Sequence, residues 1–207
     1  ALRVALWGKL PRAGLVGDEA EYLAAGDWLA LGRGFAWHTQ YFWTRAPLYP
    51  LFLAAHIAAF GRASGPIFVT QSLLSLVNVG LVYALTRQVS GSRRAAGLAA
   101  LGTALYLPLA SYGQLLLSET LFISLLLGAL LALGAWARQR RPGGRLDLIG
   151  VAGVLLGLAT LTRGLTLGFV PLAGLWMLGV ALGAGGQRPG RAFAGAGALL
   201  LAWGLTV

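Results

Sequence analysis

The chain of 207 residues is 57% hydrophobic and 11% charged, and its mean hydropathy is +0.75. These values exclude an ordinary soluble domain and indicate an integral membrane protein. The net charge of +10 comes almost entirely from arginines between apolar segments, so it predicts membrane orientation and no nucleic-acid partner. Cysteine is absent, which excludes disulfides and thiolate metal sites.

The region from about 10 to 65 is predicted to be a first extracytoplasmic loop that contains two short helices. The stretch 17–34, GDEAEYLAAGDWLALGRG, predicts an amphipathic helix that opens at Gly17 and closes near the glycines at 32–34. Tyr22, Ala25 and Leu29 fall on one side of this helix, and Asp18 and Glu21 fall on another. The next apolar stretch, 47–61, is shorter than the ~20 residues of a span, so it predicts an interfacial or re-entrant helix. Aromatic side chains typical of the headgroup level support an outer collar: Trp28, Trp37, Tyr41, Phe42, Trp43 and Tyr49.

Six apolar segments are predicted to cross the membrane as helices: 66–86, 95–113, 115–137, 148–162, 165–183 and 193–207. Most approach the ~20 residues that cross ~30 Å of hydrocarbon. Arginines separate alternate pairs of segments, and the positive-inside rule places them in the cytoplasm: Arg87, Arg93 and Arg94; Arg138, Arg140, Arg141 and Arg145; Arg188 and Arg191. The sequence therefore predicts one all-α, polytopic transmembrane bundle over 1–207, which we expect to be part of a longer protein.

Five of the six acidic residues fall on the predicted outer side: Asp18, Glu19, Glu21, Asp27 and Glu119. Asp147 lies beside the inner arginines and is interpreted as a solvated charge without function. Glu119 has two interpretations. It is either a carboxylate stabilised at the N-terminus of the span that starts at Ser118, or a group that borders a cavity or pairs with a partner. The second interpretation is favoured.

Arg163 interrupts two apolar segments within LATLTRGLTLGF, and the predicted topology places it on the outer side as the candidate partner of Glu119. One interpretation is a headgroup contact; the sharper one is phosphate binding by the planar guanidinium. Carboxylates and an arginine at the same predicted depth in the membrane predict a site that binds a phosphate and transfers a proton. A divalent cation, Mg²⁺ or Mn²⁺, held by Asp18 and Glu119 is the candidate cofactor.

Arg45, His38 and Tyr49 are further candidates for the same vestibule. Simpler roles remain open for each: a headgroup contact, a polar loop residue and a belt aromatic, respectively. His56 is interpreted as a packed or interfacial histidine. With two histidines and no cysteine, the chain carries no zinc signature.

Four motifs follow one another along the chain: GDEAEYLAAGDWLALGRG, RAPLYPLFLAAHIAAFG, LLLSETLFISLLLGALLAL and GVLLGLATLTRG. Their order and separations resemble the N-terminal half of the GT-C membrane glycosyltransferases. The likeness is greatest to the family 39 group, which contains the protein O-mannosyltransferases and the bacterial aminoarabinose transferases. It covers essentially the whole chain and implies a GT-C type N-terminal module in a bacterial inner membrane.

The resemblance implies transfer of a sugar from a polyprenyl-phosphate carrier to a protein, lipid or glycan acceptor on the extracytoplasmic face. It implies that Asp18 is the catalytic carboxylate, with Glu19 beside it, and that Glu119 binds metal or orients the acceptor. It also implies that Arg163 contacts the carrier phosphate, for which Arg45 is a second candidate. Gly164 and Leu165 depart from the family pattern, in which a proline often follows the basic residue.

The chemistry of these residue types predicts direct displacement at the anomeric carbon with inversion. Asp18 would take the proton of the acceptor hydroxyl, and Arg163, a metal or both would offset charge on the departing phosphate. Two alternatives from other classes are a transporter or flippase, with Glu119 and Arg163 as a coupling pair, and a noncatalytic scaffold. Charges gathered at one face, without inverted repeats, favour the transferase over a transporter.

Overall fold

The computed structural model describes residues 14–15, 17–35, 45–138, 146–183 and 189–207. Over these ranges the chain is helical and has no strand, which confirms the all-α prediction. The α-helices are α1 (Asp18–Ala30), α2 (Leu48–Phe60), α3 (Ser64–Ser90), α4 (Arg93–Leu105), α5 (Leu107–Ser111), α6 (Glu119–Ala137), α7 (Leu146–Thr162), α8 (Phe169–Gly183) and α9 (Pro189–Gly204). Short 3₁₀ helices occur at Tyr112–Gln114 and Gly164–Leu167. Several residues of the predicted collar and inner loops lie outside the described ranges: Trp37, His38, Tyr41, Phe42, Trp43, Arg140, Arg141, Arg145 and Arg188.

Within the described residues, two helices are each long and apolar enough to cross a bilayer. They are α3, with 27 residues, and α6, with 19 residues, and they correspond to two of the six predicted spans. Three other predicted spans correspond to the helices α7, α8 and α9, which have 17, 15 and 16 residues. At 1.5 Å per residue these are shorter than the ~30 Å hydrocarbon layer. The six-span topology therefore stays a prediction.

The predicted span 95–113 is bent instead of straight. Its two parts, α4 and α5 with the following 3₁₀ turn, meet at an angle of 62°. The break falls at Tyr106, whose backbone is extended, and Pro108 stands in the first turn of α5. Proline has no N–H to continue α4 and its ring clashes with the preceding turn, so the chain ends one helix and begins another.

The two short helices of the predicted outer loop pack against each other. A Cβ on Gly26 of α1 would lie 2.7 Å from the Cβ of Leu53 on α2, so the helices approach to a distance that only glycine allows. Tyr22 and Ala25 are buried, as predicted, whereas Leu29 is only half-buried. Glu19 and Gly26 are buried on α1 as well. Helix α2 has 13 residues, which confirms a segment too short to span.

Buried side chains of the described ranges form two separate apolar clusters. The larger one joins α6 to α9 through residues that include Trp136, Leu156 and Met177. The smaller one ties α1 and α2 to α3 and to the loop before α6: Tyr22, Tyr49, Leu53, Ile67 and Leu116. This second cluster therefore holds the first turn of α1 near the start of α6.

Candidate active site

Two contacts fasten α1 to the loop that precedes α6. Glu19 is 1% exposed, and its carboxylate accepts a hydrogen bond of 2.7 Å from the backbone N–H of Leu116. The hydroxyls of Tyr22 and Ser118 lie 3.2 Å apart. Because Ser118 immediately precedes Glu119, the acidic first turn of α1 and the start of α6 lie at the same end of the bundle.

Arg45, just before α2, bridges two carboxylates on the exposed face of α1. It donates to both oxygens of Asp18, at 2.8 and 3.1 Å, and its Nε donates to Glu21 at 2.8 Å. Asp18 and Glu21 are three residues apart, so they share a helix face and present a paired acceptor to the planar guanidinium. The hydrogen bond to Glu21 raises the pKa of Arg45 above its usual value, although partial burial acts in the opposite direction, and Asp18 adds to the rise.

Glu119 and Arg163 form a second ion pair, which confirms the predicted proximity of these two residues. The guanidinium of Arg163 lies 2.7 Å from Oε1 of Glu119. Glu119 opens α6, where the helix dipole favours a negative charge, and Arg163 follows directly after the last residue of α7. The other oxygen of Glu119, Oε2, is buried without a hydrogen-bond partner in the described part of the chain. That oxygen can accept a hydrogen bond from a ligand.

Tyr49 and Gln71 connect α2 and α3 to the loop before α6 through hydrogen bonds. Tyr49 is fully buried and donates a hydrogen bond of 2.7 Å to Oε1 of Gln71, whose amide nitrogen donates to the carbonyl of Leu115 at 2.8 Å. Burial raises the pKa of Tyr49 well above its usual value, with smaller contributions from Tyr22, Glu119 and Glu19, so its hydroxyl remains a donor. The interpretation of Tyr49 as a belt aromatic is therefore wrong.

His56 and Asp27 make hydrogen bonds to partners other than Asp18 and Glu119. His56 makes hydrogen bonds of 2.8 Å with the carbonyl of Phe52 and 2.9 Å with the hydroxyl of Thr70, which confirms that it is a packed histidine. Asp27, in the second half of α1, forms its own bidentate pair with Arg62. These residues are useful controls because their contacts do not reach Asp18 or Glu119.

The described residues do not form a metal site. No group of three His, Asp or Glu side chains comes together among them in an arrangement that could hold a cation. Both oxygens of Asp18 contact Arg45, and Oε1 of Glu119 contacts Arg163. In this arrangement arginines contact both carboxylates, and binding of Mg²⁺ or Mn²⁺ by Asp18 and Glu119 stays a prediction.

Sequence reasoning missed three partners in the cluster. Glu21 shares Arg45 with Asp18, Ser118 contacts Tyr22, and Gln71 joins Tyr49 to the loop before α6. The available signals were the i, i+3 spacing of Asp18 and Glu21 and the presence of an amide side chain, Gln71, inside an apolar span.

An all-α bundle with apolar spans, and with carboxylates and arginines gathered at one end, defines a polytopic membrane protein with a candidate active site at that end. Residues 44–203 match the family described as dolichyl-phosphate-mannose-protein mannosyltransferase, and the chain belongs to this family. It is therefore an integral membrane glycosyltransferase of the GT-C type. The match includes Arg45, Glu119 and Arg163 and begins after Asp18.

Two further comparisons gave no match. No curated protein is significantly similar to the chain. No solved structure is significantly similar either.

Proposed function

We propose that the protein transfers a sugar from a polyprenyl-phosphate carrier to a hydroxyl of a protein, lipid or glycan acceptor. The observation that supports this proposal most is the pair of carboxylate–arginine contacts, Asp18 with Arg45 and Glu119 with Arg163, at one end of the bundle. The proposed location is the extracytoplasmic side of a bacterial inner membrane, in line with the positive-inside rule.

The two arginines are assigned to the carrier phosphate. Guanidinium groups bind phosphate oxygens through paired N–H donors, and the raised pKa of Arg45 keeps it charged throughout the working pH range. During transfer the bond between the anomeric carbon and the phosphate oxygen breaks, and its electron pair stays on the phosphate. Positive groups already in place stabilise that growing charge.

Asp18 is assigned as the general base. The acceptor oxygen attacks the anomeric carbon while its proton passes to Asp18, and one displacement inverts the configuration. In the described arrangement Arg45 occupies both oxygens of Asp18. A donor phosphate competes for the guanidinium and frees one carboxylate oxygen for the acceptor, so the donor binds first.

Glu119 and Glu19 receive different roles. The unpartnered Oε2 of Glu119 accepts a hydrogen bond from a substrate hydroxyl and orients it. Glu19, the second predicted catalytic carboxylate, is buried against the backbone of Leu116, and we assign it the positioning of α1. Neighbouring residues on a helix project about 100° apart, which separates Glu19 from its neighbour Asp18.

The test is a transfer assay with membranes that contain the full-length protein, supplied with labelled polyprenyl-phosphate sugars. Transfer of label to an acceptor, with the anomeric configuration inverted, is expected. Label that crosses the bilayer still attached to its carrier would support the flippase, and no reaction with any donor would support the scaffold. An arm with EDTA tests the predicted cation: loss of transfer that Mg²⁺ or Mn²⁺ restores would establish it.

A further inference from the structure

An apolar groove lies at the end of the bundle opposite the candidate active site. It runs between the last two turns of α3, the second half of α6 and the first half of α8, and its volume is about 680 Å³. Ligand sites typically have volumes of ~300–1,000 Å³. Glu119 opens α6 and Arg138 follows its last residue, so 19 helical residues, roughly 28 Å, separate the groove's charged end from the candidate site.

The groove opens to the outside of the bundle through apolar side chains. Val89 is 79% exposed, Leu172 is 62% exposed and Trp176 is 45% exposed. Contiguous exposed apolar surface marks a contact with lipid or with another partner. Since these residues belong to apolar helices of a membrane protein, the groove is accessible to hydrocarbon chains of the bilayer.

Gln88 lines the groove and joins α3 to α6. Its amide nitrogen donates a hydrogen bond of 3.2 Å to the carbonyl of Leu131. A Cβ on Gly134 would lie 2.6 Å from Oε1 of Gln88, so the glycine leaves room for this amide. Gln88 therefore holds the two helices together, and no ligand contact is assigned to it.

Arg138 is the one charged side chain among the described lining residues. It is exposed, and none of the ion pairs between described residues includes it. Further arginines lie nearby in the chain at the end of α3 and the start of α4: Arg87, Arg93 and Arg94. The predicted topology makes this the cytoplasmic end, where positive charge attracts anionic lipids.

We propose that the groove binds an anionic phospholipid, with an acyl chain along the apolar lining and the phosphate at Arg138. A guanidinium binds phosphate oxygens through paired N–H donors, and basic pockets between membrane helices on the cytoplasmic side bind anionic headgroups. The polyprenyl carrier fits less well, because its phosphate is assigned to Arg45 and Arg163 at the other end and its chain brings no charge to Arg138. The inference goes beyond the proposed sugar transfer and does not depend on it.

Quenching of Trp176 fluorescence tests the site. The full-length protein is reconstituted in vesicles of phosphatidylcholine and phosphatidylglycerol, with bromine on the acyl chains of one lipid or the other. Because other tryptophans also fluoresce, the quenching that is lost in Trp176→Phe is assigned to Trp176. An arginine near the membrane surface contributes ~1 kcal/mol toward anionic lipid, which predicts at least about fivefold preference for phosphatidylglycerol at Trp176.

Arg138→Gln should lower this preference about fivefold. Arg87→Gln is the control, because it removes the same charge at the end of α3 and Arg87 does not line the groove. The guanidinium of Arg87 donates to the carbonyl of Gly91. We expect Arg87→Gln to retain most of the preference, and an equal loss in both variants would mean a diffuse field instead of a site.

Three other outcomes would overturn the inference. Equal quenching by the two brominated lipids would mean that ordinary bilayer lipid fills the groove. Absence of Trp176 quenching by either lipid would mean that the full-length protein covers the groove. Relief of quenching by added polyprenyl phosphate, to the same extent in Arg138→Gln, would assign the groove to the carrier chain.

Discussion

Arg45 holds both oxygens of Asp18, at 2.8 and 3.1 Å, and so occupies the carboxylate that we propose as the catalytic base. The same guanidinium binds Glu21, so it has a carboxylate partner that remains when Asp18 is released. Arg45 can therefore move toward a donor phosphate without leaving α1 altogether. In the proposed mechanism, this relationship couples binding of the donor to exposure of the base.

Arg45→Gln should reduce kcat/KM for transfer by ~100-fold or more, the loss typical for one preorganised donor to a developing negative charge. A catalytic contact has this effect, whereas an exposed ion pair contributes only ~0–1 kcal/mol to stability. Arg62→Gln is the control because Arg62 also makes a bidentate contact with a carboxylate of α1, that of Asp27. Equal activity in the two variants would remove Arg45 from the mechanism.

Glu119→Gln should lower kcat/KM by ~10-fold or more without reducing the amount of folded protein. The substitution keeps the shape of the side chain but removes the charge that holds Arg163, so both orientation of the substrate and placement of the guanidinium suffer. A double-mutant cycle with Arg163→Gln checks this. Because the residues are in contact, their effects should be non-additive, and strict additivity would contradict a shared role.

Glu19→Gln should retain most of the activity, since an amide oxygen can still accept from the N–H of Leu116. Glu19→Leu leaves that buried N–H without its acceptor and should reduce both the folded amount and the activity. Comparing transfer per folded molecule in the two variants separates positioning from catalysis. If Glu19→Gln were as inactive as Glu19→Leu while fully folded, Glu19 would be a catalytic carboxylate after all.

Tyr49→Phe should destabilise the protein by ~1–3 kcal/mol at neutral pH, because it leaves the buried Oε1 of Gln71 unpaired. The pKa of Tyr49 is raised in the folded state, so above about pH 10 the unfolded chain loses a proton that the folded chain keeps. Stability from this group is present below pH 10 and is lost as the pH rises further. Thermal unfolding in detergent from pH 7 to 11 should show a shallower alkaline decline for Tyr49→Phe than for the wild type; identical slopes would contradict the assignment.

The length of the apolar segments allowed the helical class to be predicted from the sequence, and the distribution of charge allowed the pairing of Glu119 with Arg163 to be predicted. The positive-inside rule assigns the arginine clusters to one side of the membrane, which leaves Glu119 and Arg163 together on the predicted outer side. Side-chain direction was harder to predict. Asp18 and Glu19 are adjacent in sequence, yet one faces Arg45 and the other is buried against Leu116. Contacts between residues far apart in the chain, such as Arg45 with Glu21, also depend on how α1 and α2 pack.

The surroundings of the polar residues on one face of α3 could not be predicted from the sequence either. The spacing of Gln71, Ser75 and Asn78 is visible in the sequence, but it does not reveal whether they face lipid, another helix or a cavity. Packing against α6 and the bend at Tyr106 create the cavity beside Asn78. Pro108 predicts the bend, whereas the size of the cavity depends on contacts among three helices.

Transfer from a labelled polyprenyl-phosphate sugar by Asp18→Asn, beside Asp27→Asn, tests the central claim most directly. Both changes remove one carboxylate charge from α1 and disturb one bidentate arginine contact, but only Asp18 belongs to the proposed site. The account predicts that Asp18→Asn abolishes transfer in a folded, membrane-inserted protein and that Asp27→Asn stays close to wild type. Transfer by Asp18→Asn at the rate of Asp27→Asn would contradict the claim that Asp18 is the catalytic base.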